Sequence, residues 1–374
     1  MSPEIGIRIV STLDDFLGVA SEWDELVASM ARPSPFLLHG WLVAWWRHYG
    51  HDKRLAVVVA HRSGQLVGAV PLAIQRRHGV DVAGFIGGSD AGPVDVLVAS
   101  GSGADETVRA LAAAIVELDC GLLDFFGLPQ GSRLERSLPS LTLIERLESP
   151  VLLMPDGFDV AYRTLRSARR RKQDRRRLTK LQETHTVEFN LAASEPALAT
   201  ALDQAFEIHA RRWQGRNDRS GFSDREGREF HRRALGAVTA AAEARILVMT
   251  IDGNPSAFQY WLILGTTMVG CRRGFDPEYA EHSPGLLTMI RALELAGAEG
   301  VTRVDFLGGG ERYKLEFASR LEPLYQGVGY PKGARAHAAF RARLVLTRLR
   351  QRARRFETLR RLYAEHGALL HRGR

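Results

Sequence analysis

Continuous apolar runs separated by short turn sequences predict two β-hairpins in this chain. Residues 54–75 (RLAVVVAHRSGQLVGAVPLAIQ) place two such runs around Ser63-Gly64, and residues 244–264 (ARILVMTIDGNPSAFQYWLIL) place two around Asp252-Gly253. A small polar residue followed by glycine, between runs rich in β-branched residues, is typical of a tight hairpin turn. We therefore expect one strand on each side of both turns.

Each hairpin is followed by a predicted helix and then by a short apolar strand that contains an aspartate. The helices are 104–118 and 285–300, and the strands are GLLDFFGLP (121–129) and TRVDFLGGG (302–310). The offset between the two hairpin glycines is 189 positions, and that between the two strand aspartates is 181 positions. A pattern that returns at a near-constant offset predicts a duplicated α/β unit.

Two further segments with helical patterns are strongly basic. Residues 163–180 carry ten Arg or Lys and one Asp, and residues 335–374 carry twelve Arg and two Glu, which leaves a net charge of −11 for the rest of the chain. Each segment is either a solvated helical face or a surface that contacts RNA, an acidic carrier protein or a membrane. We expect 163–180 to form one helix, 197–213 and 224–243 to form two more, and the tail to form an amphipathic helix with Phe340, Leu344, Leu349, Phe356 and Leu359 on its apolar side.

Length and composition favour an ordinary folded protein. A chain of 374 residues with 45% hydrophobic and 25% charged residues is typical of two domains. Cys120 and Cys271 are far apart in sequence, which disfavours a disulfide framework or a cysteine zinc site and fits a reducing cytosol. The N-terminus lacks a signal-peptide pattern, and no apolar run approaches the roughly 18 residues of a membrane-spanning helix.

Several common catalytic motifs do not occur in the sequence. It contains no Walker A, HExxH, GxSxG or EF-hand string, and GFIGG (84–88) does not match a dinucleotide-binding fingerprint. No group of residues has metal-ligand spacing. The sequence therefore disfavours a metal or nicotinamide enzyme, and we expect no metal.

The segment FDPEYAEHSPGLL (275–287) opens one of the predicted helices with Ser283-Pro284-Gly285. Proline suits the first turn of a helix and serine suits the N-cap, so the pattern has a purely geometric interpretation. A helix N-terminus also attracts anions, because its free N–H groups and its dipole face the ligand. The residues alone leave both interpretations open.

Four motifs, taken in order, resemble the CelD/BcsL-type acetyltransferase family, whose members look like tandem GNAT domains. They are PFLLHGWLVAWWRHYG (35–50), HARRW (209–213), GFDPEYAEHSPGLL (274–287) and DFLGGGERYKLEF (305–317). The last motif is also similar to the Fem-type peptidoglycan aminoacyltransferases. The resemblance implies an α/β (α+β) fold of two GNAT-like domains, each with a mixed, mostly antiparallel sheet flanked by helices, plus a basic C-terminal helix. It also implies acyl transfer from an activated thioester or ester to an amine or hydroxyl.

In GNAT enzymes the loop before the central helix holds the pyrophosphate of coenzyme A, so the resemblance implies acyl-CoA, such as acetyl-CoA, as the donor. That loop usually reads Arg/Gln-x-x-Gly-x-Gly/Ala, whereas residues 281–287 of this chain (EHSPGLL) contain one glycine and no arginine. Backbone N–H groups could still bind the donor, although Pro284 has none. The nearest cations, Arg272 and Arg273, precede the loop. The implied donor-binding residues are Arg273, Ser283, Pro284, Gly285, Leu286 and Leu287.

Candidates for the chemistry surround the Gly308-Gly309-Gly310 turn, where the backbone can approach a ligand closely. They are Asp305, Glu311, Tyr313 and Lys314, which supply a general base and a cation for developing negative charge. Candidates for substrate contact are His209, Arg212 and Trp213 on one predicted helix, and Asp276 and His282 beside the donor loop. Each also has a structural interpretation, as a cap, a packed ring or a solvated side chain.

These expectations combine into an acyltransferase that moves an acyl group from acyl-CoA to a small-molecule, glycan or lipid acceptor. The resemblance implies a role in envelope polysaccharide or lipid metabolism. The cysteine usage predicts the cytoplasm, and the basic tail predicts contact with the inner face of the membrane. An acyl carrier protein is a second possible donor. The alternatives are an aminoacyl-tRNA-dependent Fem-like transferase and an inactive GNAT scaffold. The expected divisions are an N-terminal domain (1–160), a basic connecting helix (161–183), a C-terminal domain with the donor site (184–333) and a basic tail (334–374).

Overall fold

The computed structural model describes residues 4–88, 92–214, 222, 224–308, 312–331 and 333–349. The first half contains β1 (Ile5–Val10), α1 (Leu13–Leu17), α2 (Ala20–Ala28), a 3₁₀ helix (Pro35–Leu37), α3 (His39–Tyr49), β2 (Lys53–Leu55), β3 (Val57–Arg62), β4 (Gln65–Val70), β5 (Leu72–Arg77), β6 (Val80–Phe85), β7 (Leu97–Val98), α4 (Ala104–Val116), β8 (Leu122–Pro129), α5 (Arg133–Ser137) and β9 (Thr142–Leu153). Two helices then lead into the second half: α6 (Phe158–Leu165) and α7 (Ala168–Gln182).

The second half follows the general order of the first, a strand, helices, a set of strands, a central helix, a strand, a short helix and a last strand, but has fewer strands before its central helix. It contains β10 (Val187–Ala192), α8 (Ala197–Trp213), α9 (Arg225–Val238), β11 (Glu243–Ile251), β12 (Asn254–Leu264), β13 (Thr267–Phe275), a 3₁₀ helix (Pro277–His282), α10 (Pro284–Ala298), β14 (Arg303–Asp305), α11 (Arg312–Phe317) and β15 (Arg320–Gly329). A tail helix covers 334–349. Among the described residues, none of the helices combines the length and the apolar composition needed to cross a membrane.

Both predicted hairpins form, around turns with left-handed backbone. Ser63 and Gly64 have φ values of 53° and 83°, and Asp252 and Gly253 have 49° and 78°. Two consecutive positive φ values give the turn whose twist matches that of the flanking strands. The first hairpin is interrupted near Pro71, which has no N–H to donate to a ladder, so β3 and β4 lie in one sheet while β2 and β5 lie in another.

The two halves share a parallel pairing on either side of their central helix. β6 pairs in parallel with β8 across α4, and β13 pairs in parallel with β14 across α10. The other pairings between described strands are antiparallel. The predicted fold class, mixed α/β with sheets flanked by helices, is therefore confirmed.

The halves also exchange their last strands. β9 of the first half pairs with β14 of the second, and β15 of the second half lies between β9 and β8 of the first. One sheet of eleven strands consequently runs through the molecule in the order β10-β11-β12-β13-β14-β9-β15-β8-β6-β5-β2, beside a four-stranded sheet, β1-β3-β4-β7. This exchange brings strands of both halves next to β13 and β14, where the candidate site lies.

The basic segment 163–180 forms the end of α6 and most of α7 rather than one helix. Ser167 separates them, because its side chain accepts a hydrogen bond from the N–H of Arg170 at 3.4 Å and caps α7. Asp174, on the inner side of α7, is buried and binds Arg166 and the hydroxyl of Tyr162. Leu178 and Leu181 pack near Phe275 and Tyr279. The helix is thus fixed against the segment before α10 by its apolar residues and against α6 by a buried ion pair.

The tail helix packs against strands of both halves. Phe340 and Leu344 contact a cluster that contains Val82 and Leu122 of the first half and Val328 of the second. Leu349, expected on the same stripe, is 54% exposed instead. It lies nine residues after Phe340, about two and a half helical turns, and therefore faces the opposite side. Phe356 and Leu359 lie outside the described residues.

Candidate active site

A gap opens where β13 and β14 separate. The two strands pair over three residues each, from the pair Thr267 and Arg303 to the pair Val269 and Asp305. Beyond this point β13 continues to Phe275 paired only with β12. Opposite β12, Tyr260 pairs with Arg272 and Trp261 with Gly270, so Cys271 is the extra residue of a β-bulge. A bulge bends its strand and re-aims its side chains, as often happens beside active sites. The gap holds a cavity of about 840 Å³, hereafter the first cavity.

The sharp turn out of β14 forms the second wall of this cavity. The carboxylate of Asp305 accepts a hydrogen bond from the N–H of Leu307 at 2.9 Å, and Leu307 has a positive φ of 59°. The chain therefore leaves the sheet after Asp305, and Phe306, Leu307 and Gly308 line the cavity. Lys314 of α11 holds this turn, because its buried ammonium donates to the carbonyls of Leu307 (3.3 Å) and Gly308 (2.9 Å).

The loop before α10 is anchored by Asp276. One of its carboxylate oxygens accepts from the N–H of Glu278 at 3.1 Å and caps the 3₁₀ helix, and the other accepts from Nε of Arg211 at 2.5 Å. Asp276 is buried and does not line the first cavity. Its observed contacts hold the loop in position.

The first turn of α10 has fewer available donors than the sequence suggests. Ser283 has a left-handed backbone, its N–H binds the carbonyl of Ala280, and its own carbonyl accepts from Leu286 and Leu287. Pro284 has no N–H. Within the described part of the chain, the N–H of Gly285 is thus the donor of this turn that no protein carbonyl or side chain engages. An anion at this end of α10 would need side-chain cations as well.

Three arginines provide side-chain cations here: Arg212, Arg272 and Arg273 line the first cavity together with Ser283 and Gly285. The Arg212 guanidinium lies 4.4 Å from the centre of the Phe275 ring, a cation–π contact that fixes its position. On the same helix, the rings of His209 and Trp213 lie 6.0 Å apart and also line the cavity. The combination of arginines at the loop and apolar residues deeper in suits an amphipathic anion.

A second cavity of about 490 Å³ adjoins the first. Leu324 lines both cavities. Val269 and Asp305 line the second cavity, whereas the residues that follow them, Gly270 and Phe306, line the first. Asp305 lines the second cavity, and its carboxylate accepts from the hydroxyl of the buried Ser149 at 2.7 Å. Burial raises the pKa of Asp305, although Ser149, the Leu307 N–H and Arg303 oppose the change. A carboxylate with a raised pKa at the junction of two cavities is a suitable general base.

The structure brings eight of the predicted site residues to the first cavity: His209, Arg212, Trp213, Arg273, Ser283, Gly285, Leu286 and Lys314. Pro284 and Leu287 are buried beneath the loop, and His282 lies 3.5 Å from Glu281 with its ring near His185. Tyr313 belongs to α11. Glu311 lies outside the described residues.

Sequence reasoning missed several cavity residues. Gln259 interrupts the apolar run 257–264 of β12, and its side chain donates to the carbonyl of Gly285 at 3.4 Å. A polar residue within a buried apolar strand is a signal in the sequence that could have identified Gln259 as a cavity residue. Gly92, Phe126 and Leu147 come from the first half through the strand exchange, which no local pattern indicates. Cys271 also lines the cavity, but burial raises its pKa to about 12, so its thiol stays protonated and is a poor nucleophile.

Residues 168–315 match the family model described as an acetyltransferase (GNAT) domain. The chain carries a GNAT-type acetyltransferase domain. The matched segment begins at the start of α7, includes many residues of the first cavity and ends within α11. A search of curated proteins finds no match to the sequence.

Solved structures show the same fold over most of the chain. The crystal structure of FemX has a TM-score of 0.58 at 10% identity, and the alignment covers 86% of this chain and 96% of FemX. A conserved protein of unknown function from Bacteroides thetaiotaomicron has 0.55 at 15%, covering 87% and 100%. The C-terminal domain of a putative lysylphosphatidylglycerol synthetase from Agrobacterium fabrum has 0.53 at 13%, covering 88% and 97%. At these identities the likeness concerns the fold alone.

Proposed function

We propose that this protein transfers an acyl group from acyl-CoA to an amine or hydroxyl. The observation that carries the proposal is the first cavity, which joins the N-terminus of α10 and three arginines to an apolar interior between β13 and the 306–308 turn. Phosphates of the donor would lie against Gly285 N–H and the arginines, and its acyl-pantetheine arm would extend between the separated strands.

At the inner end, the proposed reaction is nucleophilic attack on the thioester carbonyl. A carbon–nitrogen or carbon–oxygen bond forms, the carbon–sulfur bond breaks, and the proton of the attacking group passes to Asp305. The thiolate of coenzyme A leaves and takes a proton from solvent. Lys314 is the proposed cation near the developing oxyanion, and positioning of the two substrates supplies much of the rate.

The donor assignment is tested by calorimetry with acetyl-CoA. Gly285 is a poor probe, since a Cβ there would lie 3.0 Å from the Phe275 ring and disturb the loop. Arg273→Gln removes a charge instead, and we expect affinity to fall about tenfold or more, the value of one charge-assisted hydrogen bond. Arg8→Gln, an exposed change on β1, is the control. Absence of acetyl-CoA binding to the unaltered protein would refute the donor assignment.

A second candidate, an aminoacyl-tRNA-dependent transferase, is favoured by the outer face of α7. Five exposed cations on this helix make no ion pair with another described residue: Arg169, Lys172, Arg175, Arg176 and Lys180. Four of them recur at intervals of three or four residues and form one stripe opposite buried Asp174. The measurement is tRNA binding at low and moderate salt, with Arg169, Arg176 and Lys180 changed to Gln. Tight binding that these changes abolish, without binding of acetyl-CoA, would favour this candidate.

The finer assignments are part of the same proposal. We place the protein with the CelD/BcsL-type enzymes, in envelope polysaccharide or lipid metabolism, in the cytoplasm with contact at the inner membrane face. The tail helix supports the contact, because Val345, Leu346 and Leu349 are each more than half exposed beside Arg341 and Arg348. We also propose 1–160 and 184–333 as the two domains, with 161–183 connecting them and 334–374 as the tail.

A further inference from the structure

The second cavity is built from both halves of the chain. Its inner end is formed by Val269, Asp305 and Leu324 and adjoins the first cavity. Its other end is formed by the loop before the first 3₁₀ helix and by α5, both in the first half. A ligand in this cavity would therefore have one end at Asp305 and the other against the first half.

The acidic residues of this cavity are already engaged by protein donors. Asp95 accepts from the Ser132 hydroxyl (2.7 Å) and from the backbone N–H of Arg133 (2.9 Å) and Leu134 (3.3 Å). Glu322 accepts two hydrogen bonds from Arg303, both at 2.8 Å, which lowers its pKa to about 2. These carboxylates have little remaining capacity to bind a ligand cation.

Three arginines at the end of the second cavity formed by the first half are less fully engaged than these carboxylates. Arg32 and Arg136 are exposed at the cavity and make no ion pair with another described residue. Arg133 lines the same cavity, and the carboxylate within ion-pair distance of its guanidinium among the described residues, that of Asp105, is 3.9 Å away and largely exposed. Three guanidinium groups at one end of this cavity, where the neighbouring carboxylates already accept from protein donors, favour an anionic group there.

We infer that the acceptor enters through the second cavity and carries an anionic group, a phosphate or a carboxylate, at the end opposite its nucleophile. This inference rests on the proposed acyl transfer. The anion binds Arg133 with Arg136 and Arg32, and the amine or hydroxyl reaches Asp305 at the junction with the donor. Guanidinium groups suit this task because they bind phosphate and carboxylate in two-pronged geometry.

The test compares charged and neutral probes that share one scaffold. Glucosamine 6-phosphate is measured against glucosamine, and 6-aminohexanoate against 6-aminohexanol, by calorimetry with the full chain. We expect at least one anionic probe to bind about tenfold or more tightly than its neutral partner, as one charge-assisted contact would give. The pair that shows the difference identifies phosphate or carboxylate.

The variants locate the effect. Arg133→Gln and Arg136→Gln should bring the affinity ratio of the charged and neutral probes close to one, while Arg8→Gln retains it. Equal binding within both pairs, or a ratio that the two cavity variants leave unchanged, would overturn the inference. Acetyl-CoA binding is measured separately on the same variants. An acceptor preference without acetyl-CoA binding would therefore refute the donor assignment and leave the anion site standing.

Discussion

Asp305 has two roles: it accepts hydrogen bonds that fix the local backbone, and it is the proposed general base. Its carboxylate fixes the Leu307 turn and binds Ser149, while its burial raises its pKa. An amide oxygen can accept the same two hydrogen bonds but cannot take a proton. The substitution Asp305→Asn therefore separates the two roles.

We expect Asp305→Asn to fold and to bind acetyl-CoA while its kcat falls about 10²–10⁴-fold, the usual contribution of a general base. In the unaltered enzyme, kcat/KM should rise with pH as Asp305 loses its proton, and the variant should lack this limb. A complete pH–rate profile is the measurement. An unchanged limb in the variant would assign the base elsewhere.

Glu322 gives a stability prediction with a definite sign. Its pKa falls from the ordinary 4.5 to about 2, chiefly through Arg303. The unfolded chain takes up a proton first as pH drops, so this stabilisation is complete above pH 4.5 and is lost as pH falls toward 2. Glu322→Gln should therefore be less stable at about pH 6 and lose less stability between about pH 6 and pH 3. Urea unfolding at both values checks it, and equal losses in both proteins would contradict it.

At the scale of elements, the position of α7 is fixed by a buried ion pair between its residue Asp174 and Arg166, which precedes the helix. Asp174 and Arg166 are each about 3–4% exposed in their side chains, and Arg166 also binds Glu316 of α11 at 2.9 Å. The same helix presents exposed cations on its other side. Changes on the two sides should have very different effects.

Asp174→Ala should cost about 3 kcal/mol of unfolding free energy, the lower part of the range for a broken buried pair, since Glu316 still neutralises Arg166. Arg176→Ala, on the exposed side, should change stability little. Urea denaturation of both variants gives the comparison. Similar losses would mean that the solvent-facing cations, rather than the pair, hold α7 in place.

The tail helix has an exposed apolar side that the proposed membrane contact explains. Replacing Val345, Leu346 and Leu349 with Ser should abolish co-sedimentation with vesicles of mixed neutral and anionic lipid while the fold is kept, because apolar insertion and arginine attraction act together. Ala338→Ser on the same helix is a matched small change. Retained sedimentation of the triple variant would leave only charge attraction, and sedimentation equilibrium would show whether a second copy covers this side instead.

The positions of most helices and strands could be predicted from the sequence, but the pairing of distant strands could not. Helix 104–118 was expected and Ala104–Val116 is observed, and the hairpin at Asp252-Gly253 lies where its turn residues placed it. The strand 302–310 ends early, at Asp305, because a side-chain hydrogen bond turns the chain. The cavity residues Gly92 and Phe126 escaped prediction, since only the long-range arrangement of the strands brings them to the first cavity.

For the whole molecule, the exchanged strands make the halves energetically inseparable. β15 is hydrogen-bonded on both sides to strands of the first half, so neither half can lose its structure without removing partners from the other. We expect a single calorimetric unfolding transition, with equal van't Hoff and calorimetric enthalpies. Two resolved transitions would show that the halves unfold separately.

The same exchange bears on how the chain is made by the ribosome. β8 is complete at Pro129, but its partner β15 is complete only at Gly329, 200 residues later. At about 5–20 residues per second, β8 waits roughly 10–40 s for its neighbour. Throughout that interval the nascent first half carries an open strand edge, the kind of surface that recruits other chains. Newly synthesised copies should therefore depend on chaperones more heavily than finished ones do.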